Sequence, residues 1–306
     1  MKILIEIKTK LPALLYGGSQ RVVWDLAKEL SAMGHEVTLL ALKGSYCPFA
    51  KVIEIDPSMP RHRQIPDDVD VVHFNNDADP LTQKPYIVTV HGNKVGGNSL
   101  DHSVFVSKNH AQRYGSEHFV YNGLDWSNYE DIDINHKREH FHFLGKAAWR
   151  VKNLRGAIRI TKSLDDERLM VLGGYRLNFK MGFRFTLSPR IKFYGMVDDQ
   201  AKKEVISRSK GLIFPVLWDE PFGLAITESL YLGAPVYGSQ RGSLPELVTS
   251  DVGFLSNQED EIANTIHDAE FSPQMCHEYA RDLFNSRLMA ERYVEMYERV
   301  INNGKL

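Results

Sequence analysis

Short apolar runs recur along this chain, each followed by a stretch whose apolar positions repeat with the helical period. That alternation dictates an α/β architecture built on parallel sheets. In the first half the strand candidates are residues 3–7, 37–41, 69–74, 87–90, 104–106 and 119–121. The first helix follows Gly17-Gly18-Ser19, places Val22, Val23, Leu26 and Leu30 on one face, and stops at Gly34. A second series comprises strands at 141–144, 169–172, 191–194, 211–214 and 235–237, with helices at 154–163, 200–207 and 223–232. Residues 122–139 are polar and aperiodic, which predicts a linker between the two series, and the tail is helical at 258–268, 273–284 and 288–301.

The 306 residues suffice for two hydrophobic cores. The expected division is an N-terminal unit over residues 1–136, a C-terminal unit over 137–285, and a last helix over 286–306 that packs back on the first unit. A formal net charge of −2 gives no overall basic field for nucleic acid. Residues 1–136 hold 13 Lys/Arg and 17 Asp/Glu, so the remainder is slightly basic, as would suit an anionic ligand there. Cys47 and Cys276 form no metal or redox motif and fit a reduced, cytoplasmic setting. The start, MKILIEIKTK, reads as a strand and not as a signal peptide. No apolar run approaches the ~20 residues of a membrane span. Peripheral contact with the inner face of a membrane stays open as an expectation.

The segment richest in chemistry runs from Trp218 to Val236 and contains Glu220-Pro221-Phe222-Gly223-Leu224-Ala225, then Glu228, Gly233 and Pro235. It follows the strand at 211–214, and its helix starts near Gly223 and stops at Gly233. Backbone N–H groups at such a helix start suit a phosphate or a sugar hydroxyl. Gly223 allows close approach. Glu220 lies in the loop and Glu228 on the second helical turn, which puts two carboxylates at different depths of one pocket. Taken on spacing alone, the pair is equally well explained as acidic residues favoured near a helix N-terminus.

Glu220 and Glu228, with Pro221-Phe222-Gly223 between them, resemble the E-x7-E motif of retaining glycosyltransferases of family GT4. Gly233-Ala234-Pro235-Val236 and Gly242-Ser243-Leu244-Pro245-Glu246-Leu247-Val248 follow at that family's distances. The resemblance implies the GT-B fold, two Rossmann-like domains facing across a cleft, and transfer of a sugar from a UDP- or GDP-sugar to a hydroxyl acceptor. It implies that Glu228 holds the donor ribose, which a carboxylate can do by accepting from two vicinal hydroxyls. Glu220 would contact the transferred sugar, and the amides of Phe222, Gly223, Leu224 and Ala225 the sugar and diphosphate.

Gly145-Lys146-Ala147-Ala148-Trp149-Arg150-Val151-Lys152-Asn153 resembles the family's basic pair. Lys146 stands where arginine is usual, keeping the charge without the bidentate fork, which Arg150 is placed to supply. Without the motif, these cations would be read as a solvated helix start. Tyr16-Gly17-Gly18-Ser19-Gln20 resembles the glycine loop near the diphosphate or acceptor, and His91, in Val90-His91-Gly92, the active-site histidine. Met196 and Val197 occupy the loop that reads the nucleobase in the family. Catalytic roles are therefore expected of His91, Glu220, Lys146 and Lys152. Donor contacts are expected from Gly17, Gly18, Lys146, Arg150, Lys152, Met196, Val197, Glu220, Phe222, Gly223, Leu224, Ala225 and Glu228. His73 and Asn75-Asn76 are candidates for the acceptor side.

Three Asp-x-Asp triplets, at Asp68/Asp70, Asp77/Asp79 and Asp131/Asp133, lie away from this motif and are read as chance, so neither a metal nor any other cofactor is expected. A nicotinamide oxidoreductase would need Gly-x-Gly-x-x-Gly after the first strand, a spacing Gly17-Gly18 lacks. A non-hydrolysing nucleotide-sugar epimerase and a non-catalytic nucleotide-sugar binder remain as alternatives sharing the fold. Residues 42–86 carry the least resemblance, so the acceptor is the least legible partner.

Overall fold

In a computed structural model of the chain, which describes residues 1–12, 17–93, 99–129, 132–179 and 183–306, the polypeptide divides into two compact units. The first comprises Met1–Asp125 with Phe284–Leu306, and the second Trp126–Leu283.

The first unit is a six-stranded parallel sheet of β1 (Lys2–Ile7), β2 (Glu36–Ala41), β3 (Lys51–Glu54), β4 (Val71–Asn75), β5 (Tyr86–Val90) and β6 (Ser103–Phe105), in the order β3-β2-β1-β4-β5-β6. Helix α1 (Gly18–Ala32) buries Val22, Val23, Leu26 and Leu30, and α2 (Lys108–Arg113) follows β6. One face of the sheet is filled by Leu4, Leu40, Val72, Phe74 and Val88. The expected strand at 119–121 is only an isolated bridge from Phe119 to Phe105, whereas β3 is an edge strand whose four residues carry too little pattern to be seen in the sequence.

The second unit repeats this plan. Its main sheet has the order β11-β8-β7-β12-β13-β14, all parallel: β7 (His140–Leu144), β8 (Leu169–Leu172), β11 (Ile191–Phe193), β12 (Ser209–Phe214), β13 (Val236–Gly238) and β14 (Gly253–Leu255). Between β8 and β11 a two-stranded antiparallel hairpin, β9 (Leu177–Asn178) with β10 (Arg184–Phe185), interrupts the repeat. The helices are α3 (Leu154–Ser163), α4 (Asp199–Ile206), α5 (Leu224–Tyr231), α6 (Leu244–Leu247), α7 (Glu259–Asp268) and α8 (Pro273–Leu283). Phe141, Phe143, Leu154, Ile160, Leu169, Val171 and Ile213 form its core.

The chain then returns to the first unit through α9 (Ser286–Asn303), which packs on α1, β4 and β5. His73, considered above for the acceptor side, is instead part of that packing. It is 1% exposed and bonds the Tyr297 hydroxyl at 2.8 Å and Thr89 Oγ1 at 2.7 Å, while Thr89 meets the Tyr293 hydroxyl. Burial holds its pKa down, at about 3, so the ring is a neutral structural tie.

The division falls after Asp125, eleven residues earlier than the expected end at 136, because residues 126–129 are not linker. They form a short 3₁₀ turn whose Trp126 stacks on Tyr231 of α5, 4.0 Å between centroids and 6° from parallel. Apolar stacking drives the turn into the second unit although its neighbours are polar.

Candidate active site

In doubly wound sheets, ligands gather beyond the carboxyl ends of the strands where the strand order reverses. In the second unit that point lies between β7 and β12, so the loops after these two strands define the site. The loop after β12 carries Glu220 and leads into α5, which carries Glu228. Gly223 stands at the N-cap with φ of +94°, a conformation that side chains disfavour. Leu224 and Ala225 are partly exposed at the helix start, whereas the Phe222 ring is buried and anchors the loop. A second anchor is the Gly242-Ser243 turn. Ser243 N–H donates to Glu220 O at 2.9 Å, and its hydroxyl donates to Phe222 O at 2.6 Å. Gly242 has φ of +60°, and a Cβ there would lie 2.2 Å from Glu220 N. The sequence marks Gly242 and Ser243 only as a family landmark; their physical task is to clamp the Glu220 loop.

Both carboxylates are buried and both are compensated. Glu220 Oε2 accepts from Lys152 Nζ at 2.5 Å and from Trp218 Nε1 at 2.8 Å. The Lys152 ammonium also lies 5.0 Å from the Trp218 ring centroid and 5.3 Å from that of Phe214. Glu228 Oε1 accepts from the Tyr129 hydroxyl and from Lys202 Nζ, each at 2.5 Å. Lys202 is 5% exposed and reaches Asp199 as well, at 2.6 Å. In a medium of low dielectric such charges are costly unless paired, and the pairing fixes where each carboxylate points. Lys202 and Tyr129 escaped the sequence reading. Lys202 is one of two adjacent lysines on α4, and Tyr129 sits in what looked like linker, so no local signal sets either apart.

The loop after β7 holds the other cations. Lys146 is exposed with its ammonium 5.2 Å from the Trp149 ring centroid, and Arg150 and Lys152 lie on one 3₁₀ turn. Asn153, at φ of +52°, caps α3 by accepting the Gly156 N–H at 3.0 Å. Beyond β11, Met196 is exposed and Val197 buried; Gly195 before them exchanges backbone hydrogen bonds with Gly173 and Gly174 at the end of β8.

In the first unit the order reverses between β1 and β4. Gly17 occupies the N-cap of α1 and Gly18 opens the helix, leaving first-turn N–H groups with no side-chain cap; Tyr16 lies outside the described residues. His91 follows β5, and its Nε2 is 2.7 Å from Asn75 Oδ1. Since Asn75 Nδ2 donates to Glu6 O, its oxygen faces the ring, and His91 Nε2 is the donor. Burial pushes the His91 pKa down to about 4, so the ring is neutral at pH 7. Two of the Asp-x-Asp triplets are engaged within the first unit: Asp68 pairs with Lys2, Asp77 pairs with Lys8 and Arg61, and Asp79 hydrogen-bonds His62. Asp131 of the third lies outside the described residues. Among the described residues no cluster of acids, histidines and cysteines is arranged to hold a metal, and no helix is long and apolar enough to cross a membrane.

Known proteins resemble this chain in sequence and in fold. The family model for glycosyl transferases group 1 matches residues 126–283, the span of the second unit. An uncharacterized 41.2 kDa protein in the cps region of Klebsiella pneumoniae is 32% identical over 116 residues, 35% of this chain and 32% of that protein. The O-antigen chain mannosyltransferase B of Escherichia coli is 30% identical over 125 residues, 38% of this chain and 32% of the mannosyltransferase. The matched region thus spans about a third of the length of these two relatives. Among solved structures, AviGT4, a glycosyltransferase involved in avilamycin A biosynthesis, superposes with a TM-score of 0.78 at 20% identity, covering 99% of this chain and 98% of its own. HepE of Anabaena, in complex with UDP and glucose, gives 0.67 at 15% identity, covering 97% and 99%. At these identities the structures establish the fold, which is GT-B.

Proposed function

Because the chain belongs to the glycosyl transferases group 1, we propose that it transfers a sugar from a UDP- or GDP-sugar to a hydroxyl acceptor with retention of anomeric configuration. The observation that carries this reading is the pair of buried carboxylates, Glu220 and Glu228, set on one strand–loop–helix at the switch point and each bound to a lysine, Glu220 to half-buried Lys152 and Glu228 to buried Lys202. Glu228, oriented by Lys202 and Tyr129, takes the ribose hydroxyls. Gly223, Leu224 and Ala225 offer first-turn N–H groups to the diphosphate and sugar, with Phe222 before them. Met196 and Val197 present backbone groups to the base, and Gly17 and Gly18 offer further N–H groups.

Lys152 and Glu220 form a contact that substrate can exchange. As the donor enters, the ammonium turns from carboxylate to phosphate, and the freed carboxylate accepts a hydroxyl of the transferred sugar. Lys146 and Arg150 add positive charge. That charge compensates the leaving diphosphate, so the chemistry proceeds without a divalent metal and without any other cofactor. His91, neutral and donating through Nε2 to Asn75, serves the transferred sugar as a hydrogen-bonding group and not as a proton source. No covalent nucleophile is invoked; the leaving phosphate assists deprotonation of the acceptor on the same face.

The test is a panel of nucleotides and nucleotide sugars read by thermal shift, since a ligand that binds only the folded chain raises its stability by mass action. One nucleotide class should raise the melting temperature of the wild type and leave Glu228→Ala unmoved. Product NMR with the selected donor then reports the anomer. A panel without effect, or an inverted product, overturns the assignment.

A further inference from the structure

The hairpin β9–β10 has its polarity reversed. In a strand covering a protein core, apolar residues point inward and polar ones outward. Here Arg184 and Thr186 are buried, at 9% and 7% exposure, while Phe183, Phe185 and Leu187 alternate with them at 61%, 50% and 79%. On the other arm Leu177 and Phe179 are exposed as well, and the Phe179 and Phe183 rings lie 5.8 Å apart, forming one apolar surface. Water disfavours such a patch.

Charge beside the hairpin has one sign. The described residues of 168–197 include five Lys/Arg and no Asp/Glu. A cavity of about 280 Å³ lies at the base of the hairpin, lined by Arg150, Arg155, Arg184, Asn178, Trp149 and the start of α3, with no carboxylate among its described lining residues. Lys146, Lys152, Glu220 and Glu228 do not line it, whereas Arg150, assigned above to the donor, does, so the cavity shares one wall residue with the site described above. Arg184 donates to Ala147 O and Tyr175 O, but its buried Nε has no hydrogen-bond partner. Burial and the nearby Arg155 both disfavour its charge, and no acid offsets them. A buried guanidinium held beside like charge and a helix N-terminus calls for an anion.

We propose that this hairpin docks the protein on an anionic phospholipid surface, with its apolar side chains in the interface and a lipid phosphate in the arginine-lined cavity. Apolar insertion and electrostatic attraction are the two terms that hold a peripheral protein on a bilayer; the exposed apolar face of the hairpin supplies the first and the arginine-lined cavity beside it the second. The proposal does not rest on the sugar-transfer reading.

Co-sedimentation with vesicles tests it. The wild type should bind vesicles of equimolar phosphatidylglycerol and phosphatidylcholine, release in high salt, and ignore pure phosphatidylcholine. The double variant Phe179→Ser/Phe183→Ser should keep the wild-type melting temperature and bind at least about tenfold more weakly. Arg155→Gln, which retains a donor toward Phe183 O, should weaken binding about fivefold. The proposal is overturned if the wild type stays in solution, if binding ignores lipid charge, or if the serine variant binds like the wild type. It is equally overturned if inorganic phosphate raises the melting temperature while vesicles do not bind, which would make the cavity a site for soluble anions. Loss of a dimer in the serine variant without vesicle binding would make the hairpin a protein interface.

Discussion

Replacing Lys202 by methionine should destabilise the second unit by about 3–5 kcal/mol, the range for removing one partner of a buried ion pair. The side chains of Lys202 and Glu228 are each 6% exposed and lie 2.5 Å apart, so solvent cannot take over the lost compensation. Asp199, the other partner of Lys202, is 41% exposed, and losing that contact should contribute little. The folding constant should therefore fall by a factor between about 10² and 4 × 10³, at 1.4 kcal/mol per tenfold. Glu228→Gln alone should cost less, because the amide oxygen still accepts from Tyr129 and Lys202. The double variant Lys202→Met/Glu228→Gln removes both charges and should recover about 2 kcal/mol or more relative to the sum of the singles. Urea unfolding of the four proteins, with a nucleotide titration on each, measures both sides. If Lys202→Met costs less than about 1 kcal/mol, or the double variant is additive, the lysine is not what holds the Glu228 carboxylate.

Other outcomes follow from single contacts. Gly242→Ala should be destabilised by at least about 1–3 kcal/mol from its positive φ alone. Its new Cβ would also displace the Glu220 backbone, so donor affinity should fall in calorimetry. Burial raises the Asp25 pKa from 3.8 to about 7. The folded chain then keeps a proton that the unfolded chain has already released, so stability falls as pH rises from about 4 to 7 and is flat above. Asp25→Asn, which can still accept the Asp125 N–H, should melt higher than the wild type at pH 8 and alike at pH 4. Sugar transfer should persist in excess EDTA; loss of activity restored by Mg²⁺ or Mn²⁺ would show that the lysines do not compensate the diphosphate.

Period and punctuation make most of the fold legible in the sequence. Alternating apolar runs place most of the central strands of both sheets, because a strand buried on both faces must be apolar throughout. Gly17, Gly34, Gly223 and Gly233 mark where helices begin and end, because backbone conformation at those points is a local property. The spacing of Glu220, Gly223 and Glu228 is legible for the same reason, since one loop and one helix carry all three. The carboxylates' partners were decided elsewhere. Lys152, Lys202 and Tyr129 reach them from 68, 26 and 99 residues away, and nothing local distinguishes Tyr129 from a linker residue or Lys202 from its neighbours on α4. The same holds for His73, which reads like a strand-end site residue until Tyr297, 224 residues on, meets its ring. Propensity and period are written over a few neighbouring residues, whereas which charge neutralises which is fixed only when the sheet brings distant loops to one edge and water is excluded there.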